Sequence, residues 1–551
     1  MKQNRLLILT LAALIALTPA ISTGCSGGGN SNDTDVPSSD SGVVSGSDSS
    51  DTSPDTSADT TDSGASSSDT AVTGTTFTFS NNGISVTNEL SSGYSLDGTT
   101  LELSEPGTYI VTGTCSDGSV KVKKGTTGVT LVLNNLTLSN TSTAPIVCAK
   151  SSEVEIIVLG TNALADSEQN NDDKFPDNAD AENAVMKFKD GSDVILSGSG
   201  TLRITANGKN GIKSGSTTDA EGEASLTIRE LTLDIDSQSG DAVNAEALLN
   251  VESGSITISA SDDALHSDYT LNIGSESTSP TILINTCNEG IEAAELNIWS
   301  GDIKLHAIDD CLNAANSDLS KYDFSLNIYG GNLVMDTTGG DGIDSNGSIT
   351  ITGGNIVVWT ANTADNQPLD SDGLMTITGG TVLSAGGSSG MGMNLSASQP
   401  YITFGSTSSG GRGFGQTSAT AITKGAKLVI SGDSEIYSGE ALTNANYVFF
   451  SSDKLTEGES YTLTAGGNEI GTSQAQTGTS EGGMGGGKPS GGFTGGMEKG
   501  DRKNTPSGEM PEMPSDFNPA NREDGLMPGG KAGMPDDFNP DNIPEKTDQN
   551  L

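Results

Sequence analysis

The middle of the chain is written in copies of one short unit, and they stand too close together for most folds. Gly240-Asp241-Ala242-Val243-Asn244-Ala245 is followed by Asp262-Asp263-Ala264-Leu265-His266-Ser267 and Asn288-Glu289-Gly290-Ile291-Glu292-Ala293. Asp309-Asp310-Cys311-Leu312-Asn313-Ala314 and Gly340-Asp341-Gly342-Ile343-Asp344-Ser345 come next, with weaker copies at Asn183, Asn210, Gln367 and Met391. The spacing runs from 21 to 31 residues. Between units, apolar residues alternate with polar ones, as in Leu326-Asn327-Ile328-Tyr329 and Ser348-Ile349-Thr350-Ile351. A period of two means half-buried strands, and the intervening Gly-Gly and Ser-Gly steps mean tight turns. A unit this thin cannot bury its apolar face alone, but stacked copies bury a continuous aliphatic column. The repeat therefore predicts an all-β parallel solenoid, a right-handed β-helix. A β-propeller is the alternative, but its blades need ~40–45 residues.

Composition agrees with a thin, repetitive fold. Glycine supplies 72 of 551 residues, aromatics are 4% and hydrophobics 32%. The formal net charge of −46 excludes a nucleic-acid partner, which would need a basic face, and makes metal cations the natural counterions. The repeat domain is expected over 74–471. Residues 74–160 give irregular first coils and a cap, 401–471 close the other end, and 214–224 and 315–325 bulge as loops. The Gly-, Met- and Pro-rich tail, 472–551, is expected to be disordered.

The N-terminus reads as an export signal over 1–24, with Lys2 and Arg5 before the apolar run Leu6 to Leu17. Ser22-Thr23-Gly24-Cys25 resembles a bacterial lipoprotein cleavage box, which would make Cys25 the lipidated residue. Residues 26–73 carry nine Asp and no Lys, Arg or His, as suits a flexible tether. An exported monomer is expected, lipid-anchored at the cell surface, with membrane contact through the anchor alone and release into the medium as the other outcome. Cys115, Cys148, Cys287 and Cys311 could form two bridges or stay as buried thiols.

Equivalent positions of adjacent coils lie ~4.8 Å apart, so the units stack into columns. One column holds Asp241, Asp263, Glu289, Asp310 and Asp341. Three residues on, another holds Asn244, His266, Glu292, Asn313, Asp344 and Asp370. Such ladders of carboxylates suit Ca²⁺, which takes six to eight oxygens. The candidate ligands are Asp241, Asp262, Asp263, Glu289, Glu292, Asp309, Asp310, Asn313, Asp341 and Asp344, with solvated turn residues as the other reading. A second acidic group, Asp166 to Glu182, reads as a solvated loop. Trp299 and Tyr329 occupy equivalent outward positions and suggest a ledge for sugar stacking. His306, Asp336 and Trp359 form a second outward column, also read as carbohydrate contacts, with packing of the exposed aromatics under the 315–325 loop as the other reading. Glu289, Glu292, Asp310 and Asn313 belong to the same coils as the ledge, which suggests one joint binding face.

The units from Asp262 and Gly340, with Gly107-Thr108-Tyr109-Ile110-Val111-Thr112-Gly113 and the Gly/Met-rich tail, resemble a bacterial family over residues 75–470. These are the secreted carbohydrate-binding β-helix proteins first characterised in cellulolytic clostridia. The resemblance implies a pectate-lyase-like right-handed β-helix, bound calcium, and a cellulose or acidic polysaccharide ligand without established catalysis. The chain departs from the family pattern at Lys209-Asn210-Gly211-Ile212-Lys213 and Asn366-Gln367-Pro368-Leu369. Calcium-dependent polysaccharide binding at the cell surface is therefore expected, with a plant cell-wall polysaccharide such as pectin, or another acidic polysaccharide, as ligand and no catalytic residue assigned. The alternatives are a lyase of pectate-lyase type and a surface scaffold or adhesin. A lyase needs a base beside the calcium, and Arg203, Arg229, Lys209, Lys213 and Lys304 read as scattered over different columns.

Overall fold

The computed structural model describes residues 72–319, 321–363, 366–387, 394–405 and 421–480. The export signal, Cys25, nearly all of the tether, the unit at Met391 and the tail from 481 onward lie outside the described residues.

Every coil is built from strands that pair in parallel with the same strands of the coils before and after it. Three ladders result. The first runs through Ala184–Phe188, Asn210–Ser214, Val243–Ala245, the start of Leu265–Ile273, the start of Ile291–Ile298, Leu312–Ala314 and Ile343–Ser345. The second runs through Ser225–Ile228, Leu248–Val251, the later halves of Leu265–Ile273 and Ile291–Ile298, Ser325–Ile328 and Ser348–Ile351. The third contains Thr281–Thr286, Asp302–Ala307, Asn332–Thr337 and Asn355–Trp359. Among the described residues there is no helix. This is the arrangement of a β-solenoid, as the repeat predicts.

Alternation decides what each strand buries. In Ser325–Ile328 the apolar Leu326 and Ile328 are buried and the polar residues face out. Stacked inward residues make one continuous core from Phe77 to Phe449, each large aliphatic contributing ~1.5–3 kcal/mol before the entropy of ordering is subtracted. Cys115, Cys148, Cys287 and Cys311 lie in it as buried free thiols, which answers the bridge alternative. Outward on the second ladder, amides replace apolar packing. Asn327 Nδ2 donates to Asn297 Oδ1 (3.0 Å), Asn297 to Asn272 (3.1 Å) and Asn272 to Asn250 (2.9 Å). The turn from the second to the third ladder requires left-handed backbone, supplied by Gly301 at φ 141° and Gly331 at φ 98°.

The N-terminal strands add antiparallel pairs, Thr75–Ser80 with Gly83–Thr87 and Tyr94–Asp97 with Thr100–Leu103. At the other end Tyr447–Ser451 pairs antiparallel with both Thr381–Gly386 and Leu395–Gly405. Lys427–Ser431, Glu435–Glu440, Ser460–Ala465 and Asn468–Gln474 form a separate four-stranded antiparallel sheet. Ordered structure also passes the boundary expected at 471, because Gln476–Ser480 pairs with Leu395–Gly405.

Candidate functional site

The acidic columns form as the spacing predicts. Backbone bonds place Asp241, Asp263, Glu289, Asp310, Asp341 and Gln367 one above another, from Ala242 N to Asp263 O through Gly342 N to Gln367 O. The second column runs Lys213, Asn244, His266, Glu292, Asn313 and Asp344 in direct register. Asp370 continues it, its N–H donating to Ile343 O at 2.8 Å.

The first column has a structural task that does not need charge. Asp310 Oδ1 accepts the Asp341 N–H at 2.6 Å, and Asp341 Oδ1 accepts the Gln367 N–H at 2.5 Å. Each side chain thus satisfies a backbone donor of the next coil. Asn210 does the same for Asp241 N at 3.0 Å with a neutral amide. The negative charge at Asp310 and Asp341 therefore calls for a separate explanation.

Along the stack the charge is handled in two ways. Around Asp263 it is neutralised internally. His266 Nδ1 lies 2.9 Å from Asp263 and 3.5 Å from Glu292, and Nε2 lies 3.0 Å from Asp268. Burial opposes the imidazolium, but these three carboxylates hold its pKa far above the ordinary histidine range. One rung earlier, Asn244 Nδ2 donates to Asp241 Oδ2 at 2.5 Å. Asp262 is exposed, with its carboxylate within 4.8 Å of those of Asp241 and Asp263. At Glu289, burial and Glu292 push the carboxyl up to about 8, while Asn313 Nδ2 donates to it at 3.0 Å.

At the coils of Asp310 and Asp341 no cation among the described residues does this, and Gln367 Nε2, donating to Asp370 Oδ2 at 2.9 Å, supplies only a neutral amide. Carboxylate oxygens of Asp341, Asp344 and Asp370 lie within 4.8 Å of one another, and no ion pair among the described residues reaches them. Burial, followed by mutual repulsion with Asp310 and Asp370, raises Asp341 and Asp344 to about 7. Asp310 is raised to about 6, again by burial before the neighbouring charges. Asn313, in register with Asp344, has a buried Oδ1 that finds no hydrogen-bond partner among the described residues. Three carboxylates and a buried, unsatisfied amide oxygen make a donor set of hard oxygens only, which fits Ca²⁺ rather than a transition metal. Asp309 is exposed beside this cluster.

Trp299 and Tyr329 stack as expected, with centroids 4.0 Å apart and planes 18° from parallel, and are 40% and 37% exposed. They stand at the turn into the third ladder. The strand segment Glu295–Ile298 separates them from Glu292 and the acidic columns, so the expected joint face is not formed. The ledge instead borders an exposed polar row, in which Asn332 Nδ2 donates to Asp302 (2.9 Å) and Asn355 Nδ2 to Asn332 (2.7 Å). Sequence reading missed that row, although the register of Asp302, Asn332 and Asn355 was countable. His306 and Asp336 pair at 2.8 Å toward the far end of the same strands.

Trp359 corrects the second aromatic expectation. It is in register with Asp336, as expected, but is only 1% exposed. Leu383, Ile402, Leu428 and Phe450 form an apolar cluster with it, so it is unavailable to a sugar. The acidic loop is a partial correction. Asp166 is buried and accepts from Asn207 N (2.7 Å) and Gly208 N (3.1 Å), whereas Asp172, Asp173 and Asp177 are exposed.

A family model described as carbohydrate-binding domain-containing protein matches residues 97–390, more than half of the chain. The chain belongs to that family. Within it, a carbohydrate-binding domain-containing protein of Acetivibrio thermocellus is 31% identical over 137 residues, 24% of this chain and 46% of that protein. The chain thus spans about half the length of the curated relative it matches. Among solved structures, the polysaccharide lyase-like protein from C. thermocellum, in a gadolinium derivative, is similar over 55% of this chain and 96% of that one. Its identity is 22% and its TM-score 0.32. All five acidic units fall inside the matched range.

Proposed function

We propose that this carbohydrate-binding protein holds an acidic polysaccharide through calcium, displayed at the cell surface by a lipid on Cys25. The observation that carries this reading is the uncompensated cluster of Asp341, Asp344 and Asp370, with Asp310 and the Asn313 carbonyl oxygen beside it. These residues would hold Ca²⁺, and the bound ion would supply a positive charge that a uronate carboxylate can share. Without it, a chain of net charge −46 would repel an acidic polymer. The coils are read as right-handed, and the antiparallel strands at either end as caps. Trp299 and Tyr329 provide a second contact, for sugar rings, on a different corner.

The test is polygalacturonate binding by the full chain in calcium and after chelation. We expect clear binding in calcium and a loss of at least tenfold in EDTA. Equal affinity in both would contradict the reading.

A further inference from the structure

The second outward column does not begin with acids. Pairing places Ala184, not Asn183, opposite Asn210, and Lys187 opposite Lys213. Asn183 instead ends the preceding loop in left-handed backbone at φ 59°, its side chain accepting from Asp172 N at 3.0 Å. The one-residue slip puts Lys187 in the column that already holds Lys213, His266, Glu292 and Asp344. The column is thus cationic at one end and anionic at the other.

The two lysines are treated differently by their neighbours. Lys213 pairs with Glu246 at 3.1 Å, and nearby Lys189 pairs with Glu182 at 2.6 Å. Among the described residues the side chain of Lys187, half-buried on the outer face, has no ion-pair or hydrogen-bond partner. Burial, followed by the charge of Lys213, pushes its pKa down, with Glu246 and Glu182 acting only at a distance. In a chain with 72 acidic residues and 26 basic ones, an unpaired, partly desolvated ammonium is an unusual expense of stability. Two loops also flank this part of the ladder. Residues 166–183 lead into Ala184–Phe188, and residues 215–224 lead out of Asn210–Ser214.

We propose that Lys187, with Lys213 beside it, is an anion subsite that takes an acidic group of a glycan lying along the second column. The inference rests on the reading of the protein as an acidic-glycan binder. Lys187 and Glu292 are four rungs apart, ~19 Å, so a polymer of several sugar units would span from the cationic end toward the acidic end. It would meet the lysines directly and the aspartates only through a cation. A carboxylate and a sulfate would satisfy the lysine alike.

The experiment compares the parent with Lys187→Met and Lys187→Arg as full chains, in calcium and in EDTA, at low salt. The probes are polygalacturonate, its fully methyl-esterified form and dextran sulfate. Lys187→Met should weaken binding to at least one acidic polymer roughly tenfold, the scale of one charge-assisted hydrogen bond. The same factor should appear in EDTA wherever binding is measurable, because the lysine needs no metal. Affinity for the methyl ester should not change, and Lys187→Arg should bind like the parent. Melting of Lys187→Met should be unchanged or higher, since an unpaired buried charge is removed; a lysine with a merely structural role would show the reverse. Should Lys187→Met fail to fold, Lys187→Gln carries the same comparison. The polymer showing the larger loss identifies the anion. A folded, uncharged variant that binds both acidic polymers as tightly as the parent overturns the proposal. If the parent binds no polygalacturonate at all, the proposed function fails, and the dextran sulfate arm still tests the subsite.

Discussion

In EDTA the full chain should melt higher at pH 5 than at pH 8, the reverse of what paired carboxylates produce. Asp341 and Asp344 titrate near 7 and Asp310 near 6 in the folded chain, because burial and mutual repulsion disfavour their charged forms. The same groups titrate at ~4 when unfolded. Between those values the folded chain binds more protons than the unfolded one, so stability falls as pH rises. The decline begins above pH ~4 and is complete once the pH passes the folded values near 7. Calcium reverses the penalty by occupying the ionised cluster, and it stabilises by mass action. At pH 8 calcium should raise the melting temperature by roughly 5 °C or more, since each kcal/mol is worth about 2 °C in a large domain. At pH 5 protons compete with the ion and the gain should be small. Mg²⁺, which demands smaller and more regular coordination, should restore less. Scanning calorimetry at the two pH values checks this, and curves indifferent to both chelator and pH would contradict it.

Trp299→Ala should weaken binding to neutral and acidic glycans alike. The two stacked rings present one aromatic surface at a corner lined by Asp302, Asn332 and Asn355, whose polar atoms can meet sugar hydroxyls. Removing the indole also leaves Tyr329 without its stacking partner, so the loss reaches both halves of the ledge. A full contact of this kind is worth ~1–3 kcal/mol, or roughly 5- to 150-fold in affinity. Chelation should not change that factor, because the ledge and the acidic columns lie at opposite ends of Glu295–Ile298. Affinity electrophoresis in cellulose- and polygalacturonate-containing gels reads both ligands. Unaltered mobility of the variant in both would remove the ledge from the binding surface.

The columns were legible because stacked coils convert sequence spacing directly into spatial neighbours, and counting from Asp241 to Asp344 needed no side-chain detail. What the spacing could not reveal was covering and slippage. Trp359 faces out of its own coil, but residues 24 to 91 positions later, from Leu383 to Phe450, close over it. No local pattern announces such a contact. Lys187 was hidden by the apparent unit at Asn183, since left-handed backbone at that residue moves the register by one. The expected joint face failed for a related reason. Trp299 and Glu292 share a coil, but the second-ladder segment lies between them. The division of the acidic column into a part neutralised by His266 and a part without a cation depends on side-chain geometry that spacing does not contain.

Calcium titration calorimetry on the chelator-stripped full chain at pH 8 tests the central claim most directly. The parent should take up calcium, whereas a chain carrying Asp341→Asn and Asp344→Asn should lose the uptake assigned to this cluster. The amide at position 341 can still accept the Gln367 N–H, as Asn210 does for Asp241, so the variant should fold. Its melting temperature without calcium should equal or exceed that of the parent, because two repelling carboxylates have been removed. Undiminished calcium uptake by the folded double variant would contradict the account.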